Sequence, residues 1–73
     1  MTIDLESAHR HAAMLMRQTA AIRDTQAREH AAVGAVARSA ECERLRDELL
    51  AVAQLNEDAA QMQSEDKTGA TPK

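Results

Sequence analysis

The chain has no phenylalanine, tyrosine or tryptophan, and only one cysteine, one proline and two glycines among its 73 residues. Each shortage excludes something. Without aromatic rings there is no platform for stacking nucleic-acid bases and no large planar side chain to anchor a core. A single thiol, Cys42, cannot close an internal disulfide, and together with His9, His11 and His30 it matches no zinc-finger spacing. The only proline is Pro72, so nothing before it forces a break in a helix. No stretch approaches the roughly 20 consecutive apolar residues of a membrane span. The chain begins with Asp4 and Glu6 instead of a basic segment leading into an apolar one, so neither a span nor a secretion signal is expected. The expected compartment is the cytoplasm, where an unpaired thiol stays reduced.

What is present is alanine, at 16 positions, in company with Leu, Arg, Glu, Gln and Met. These are the strongest helix formers, and they run almost without interruption from Ile3 to Gln63. Thr2 is placed to cap the start, with Asp4 and Glu6 in the first turn, where the helix dipole favours negative charge. The pairs Glu6 with Arg10 and Asp24 with Arg28 have the i to i+4 spacing and orientation of stabilising ion pairs. After residue 63 the composition turns polar and includes Gly69 and Pro72. The expected organisation is one helical domain over 1–63 and a disordered polar tail over 64–73.

Steps of three and four residues trace a seam through Leu5, Ala8, Ala12, Leu15, Thr19, Ile22, Gln26, Glu29, Val33, Val36 and Ala40. Its polar middle excludes a strict leucine zipper. Beside it Ala13, Ala20, Ala27 and Gly34 recur at intervals of seven, a strip where a partner helix can approach closely. A second apolar face, built from Cys42, Leu45, Leu49, Val52, Leu55, Ala59 and Met62, is rotated about a quarter turn from the first. The phase changes between Gly34 and Leu45, where Ser39 is placed to cap a new helix.

Two all-α architectures satisfy this pattern. One is a long helix bent near residues 34–40 and packed antiparallel in a coiled-coil-like homo-oligomer. The alternative is a helical hairpin that dimerises into a four-helix bundle. The segment around Gly34 lacks the Pro, Asn, Asp and repeated Gly of ordinary turns, which favours the long helix. Charge favours antiparallel packing in either case: residues 1–40 hold five arginines and four acids, whereas residues 41–66 hold two arginines and eight acids. The interface expected between chains comprises Leu5, Ala12, Leu15, Ile22, Val33, Val36, Leu45, Leu49, Val52 and Leu55.

Chemistry has few candidates. His9 and His11 are two residues apart and project about 160° from one another on a helix, too far for joint metal binding. His30 and Cys42 find no third ligand, and Cys42 lies between Glu41 and Glu43, whose charge disfavours a thiolate. The adjacent pairs Glu57 with Asp58 and Glu65 with Asp66 have nothing to hold them as an acid and a base. No catalytic residue, cofactor or metal site is therefore expected. Arg10, Arg17 and Arg28 form a stripe able to track phosphates, interrupted by Asp24 and set against a net charge of −3. The expected function is a small non-catalytic helical protein-interaction module, an adaptor, regulator or inhibitor of a protein partner, acting as a homo-oligomer. The alternatives are nucleic-acid binding through that stripe, or a structural role in a larger assembly.

Overall fold

In the computed structural model, which describes residues 4–67, the chain is a two-helix hairpin. Helix α1 spans Leu5–Ala32 and helix α2 spans Val36–Lys67, and the two pack against each other along their length. The expected long helix, bent near 34–40, is thus replaced by a hairpin, the fold of one chain in the alternative. The reason is Gly34, which has φ +77°, the left-handed conformation that glycine adopts without a steric cost. The backbone N–H of Ala35 donates to the His30 carbonyl at 2.8 Å, and that of Gly34 donates to the Ala31 carbonyl at 3.1 Å. These six-to-one and five-to-two bonds form a Schellman motif, which ends a helix and satisfies its last carbonyls with one glycine alone. The Ala35 carbonyl then accepts from the Ser39 N–H at 3.0 Å and opens α2.

Ser39, expected to cap a new helix, lies inside the first turn of α2. Its hydroxyl is buried and donates across the hairpin to the Ala27 carbonyl at 2.9 Å. Thr2, the expected N-cap, and Ile3 lie outside the described residues; Asp4 occupies the N-cap position of α1 without a side-chain capping bond. At the other end α2 continues to Lys67, so Ser64, Glu65 and Asp66, expected in the tail, are helical. Gln63, Glu65 and Lys67 are good helix formers, and Gln61 supports this last segment with an i to i+4 bond to Glu65. Residues 68–73 lie outside the described part.

The hairpin's core is built of small side chains. Ala13, Ala20 and Ala27 of α1 are 2–3% exposed and meet Ala53 and Ala60 of α2, which are fully buried, with Ser39 and Cys42 nearer the turn. Residues seven apart return to nearly the same side of a helix, about 20° short of two full turns. The alanine strip of α1 is therefore the line of contact, and its close-approaching partner is the second helix of the same chain. Its fourth expected member, Gly34, belongs to the turn. On α2 the contact line runs beside the apolar face read from the sequence: Cys42 is buried, Leu45 and Leu49 are half-buried, and Leu55 and Met62 are exposed. Helices separated only by methyl groups leave no room between them for leucine, so the larger side chains are displaced to the flanks.

Two substitutions test this construction. Gly34→Ala meets no atom within 4 Å of the new Cβ, so its effect is conformational alone, and thermal unfolding is expected to show a loss of about 1 kcal/mol. Ala53→Leu forces the seam apart and is expected to cost about 1–3 kcal/mol, read as a lower unfolding midpoint in denaturant.

Candidate interaction surface

The buried strip divides the hairpin into two faces. On α1 the side chains projecting to one side of the strip include Leu5, Ala12, Leu15, Met16 and Ile22, and those to the other include Arg10, Met14, Arg17 and Arg28. On α2 the first side continues with Leu45, Leu49, Val52, Leu55 and Ala59. A shallow groove of about 360 Å³, lined by Met16, Thr19, Arg23, Leu45, Glu48, Leu49 and Val52, joins the two helices across this face. A wider depression of about 530 Å³ lies on the other side, between Arg10, Met14, Arg17, Gln18, Ala21 and Glu57.

Most of the residues expected at an interface between chains share the first face. Ile22 is 58% exposed and Leu55 66%. Leu5, Leu15 and Val52 are also exposed, while Ala12, Leu45 and Leu49 are half-buried against the neighbouring helix. Val33 and Val36 are not part of this face. They flank the turn and form an exposed apolar tip. Among the described residues the two helices form a single layer, and no second layer of them covers the apolar face.

Sequence reasoning missed the polar link in this face. His9 Nδ1 and Asn56 Oδ1 are 2.9 Å apart, and the Asn56 amide donates to the Val52 carbonyl at 3.0 Å and to Met16 Sδ at 3.6 Å. Three side chains from two helices are fixed there. The only hint in the sequence was Asn56 within an otherwise apolar periodicity.

The opposite face is held by ion pairs. Arg17 grips Glu57 with two hydrogen bonds, of 2.7 and 2.6 Å, and Arg46 reaches Asp24 at 2.7 Å. Both pairs cross between helices. The first joins the arginine-bearing half to the acidic half as the charge distribution anticipates; the second runs the other way, from an arginine in the acidic half to an acid in the basic one. Arg10 pairs with Glu6 and Arg28 with Asp24, as their spacing anticipated. All three arginines of the stripe considered for nucleic acid, Arg10, Arg17 and Arg28, therefore already hold a carboxylate, which a phosphate would have to displace.

These contacts shift protonation equilibria. The hydrogen bond from Arg46 holds the Asp24 carboxyl below its ordinary value, and those from Arg17 do the same for Glu57. Of the titratable candidates, His30 and Cys42 line a third, open depression near the turn with Arg23, Ala37, Arg38, Glu41 and Leu45. Cys42 itself is buried in the helix contact. Among the described residues no group of three or more His, Cys, Asp or Glu side chains is placed to hold a metal ion. No helix among them is long and apolar enough to cross a membrane.

Comparison of the chain with protein families, with curated proteins and with solved structures gives no match.

A carboxyl whose value is lower in the folded than in the unfolded state contributes stability above the unfolded value, and loses it as the pH falls through the folded one. Helicity followed by circular dichroism is therefore expected to decline with acidification below about pH 4, where unfolded carboxyls take up protons. The double variant Asp24→Asn, Glu57→Gln is expected to start less stable at neutral pH and to show a shallower acid decline; an unchanged slope would remove these two pairs as its cause.

Proposed function

We propose that the protein is a small non-catalytic helical interaction module, acting as a homo-oligomer, whose binding surface for protein is the apolar face of the hairpin. The observation that carries this reading is the distribution of side chains. The hairpin closes on alanine, and its large apolar residues, Leu5, Leu15, Ile22, Val52, Leu55 and Met62, stay exposed. A face on which several large apolar side chains stay exposed together is the mark of a surface that another macromolecule covers. Helical grooves and ridges of this kind accept amphipathic helices, and the unbranched Met16 and Met62 adapt to irregular surfaces. An adaptor, a regulator or an inhibitor of a protein partner fits this face equally well. A cytoplasmic site of action agrees with the lone thiol.

The alternative of nucleic-acid binding has less support, because Arg10, Arg17 and Arg28 are each engaged by a carboxylate and the net charge is −3. A structural role in a larger assembly would use the same apolar face.

The test is capture of a partner at physiological salt by the unmodified chain and by two variants. Leu15→Asp with Val52→Asp places charges on the apolar face without touching the alanine seam, and is expected to abolish capture. Gln54→Glu, on the opposite side of α2, is expected to leave it unchanged. Equal loss in both, or binding to DNA or RNA that weakens steeply with added salt, would overturn the reading.

A further inference from the structure

Resting on the reading of the apolar face as a protein-binding surface, we propose that its occupant is a second copy of the chain, related by a two-fold axis that crosses the face near Val52 and sets the turn of one copy at the open end of the other. Each helix then lies antiparallel on its own counterpart, α1 on α1 and α2 on α2, in a four-helix bundle.

The symmetry is written along α2. Arg38 precedes Val52 by fourteen residues and Asp66 follows it by fourteen, about 21 Å in either direction. Fourteen residues are two heptads, so all three project toward the same side of the helix. A two-fold axis at Val52 therefore brings Arg38 of each copy over Asp66 of the other. Within the chain neither side chain has a hydrogen-bond or ion-pair partner among the described residues. Glu41, one turn from Arg38, is already held by Arg44.

Size is complementary in the same register. Leu45 and Ala59 stand seven residues before and after Val52, so Leu45 of one copy falls on Ala59 of the other. Large meets small at that level, and Leu49 and Leu55, three residues before and after Val52, meet each other beside the axis, so apolar side chains cover apolar ones around it. The turn-to-turn alternative lacks this match. It would set Leu45 at the level of the second copy's Arg23.

The face is also large enough. A helix of 28 residues is about 42 Å long, and two neighbouring helices present about 18 Å of width, which gives about 750 Å² per copy. A stable interface of standard size buries about 800 Å² on each partner.

Cross-linking tests the axis. With Cys42→Ser as background, Val52→Cys lies on the two-fold axis, and mild oxidation is expected to convert most of the chain into a disulfide-linked dimer of undiminished helicity. Gln54→Cys, on the other side of α2, is expected to stay uncrosslinked. Sedimentation equilibrium tests the charge match: Arg38→Asp and Asp66→Arg are each expected to weaken the dimer about fivefold, and the double exchange to restore it to within about twofold. A monomer at every concentration, cross-linking at position 54 as readily as at 52, or failure of the double exchange to recover affinity would overturn the two-fold arrangement. A monomer that still captures a partner through the apolar face would leave the functional reading standing without it. A cross-linked dimer with no other partner would do the reverse.

Discussion

Two helices approach one another only as closely as the side chains between them permit, and in this hairpin the buried ones are small, alanine methyls with Ser39 and Cys42 nearer the turn. Ala13, Ala20 and Ala27 on one helix and Ala53 and Ala60 on the other let the backbones come together along most of their length. Every other feature adjusts to that spacing. Leucine, isoleucine and methionine are displaced to the flanks of so narrow a contact, half-buried or exposed. Ser39 is close enough to bond a carbonyl of the opposite helix, and arginines on one side reach acids on the other. The close contact that joins the helices is also the reason that the hairpin has no bulky core of its own.

That shortage of buried volume connects the fold to the functional reading. A fully buried leucine or isoleucine contributes about 1.5–3 kcal/mol, whereas an alanine methyl contributes about 0.8. A domain below about 80 residues has little to spare, and this one leaves its largest apolar groups in water. Covering them by association would supply the burial that the alanine seam does not.

Much of the helical pattern could be read from the residues. Composition specified helices, the interval of seven among Ala13, Ala20 and Ala27 marked the tight contact, and two intrahelical ion pairs followed from spacing. The turn could not be read so easily. A Schellman motif needs only a residue able to take positive φ, so Gly34 suffices where no Pro, Asn or Asp marks a turn. The contact line of α2 was hidden for a different reason. It passes through Ser39, Cys42, Arg46, Ala53 and Ala60, a mixture with no common chemistry except that the stem near each backbone is small or flexible. Beside it ran a louder apolar periodicity, Leu45, Leu49, Val52 and Leu55, which marks the uncovered face instead.

A smooth strip that repeats every seven residues fits its counterpart almost as well after sliding by two turns, so the alanines hold the helices together without choosing their alignment. The choice falls to contacts that do not repeat. The short Val33, Gly34, Ala35 connection limits the offset, the Ser39 hydroxyl locks one end, and the Asp24–Arg46 and Arg17–Glu57 pairs peg the middle at unequal intervals. Like the teeth of a key, they give an otherwise featureless rail a single seated position.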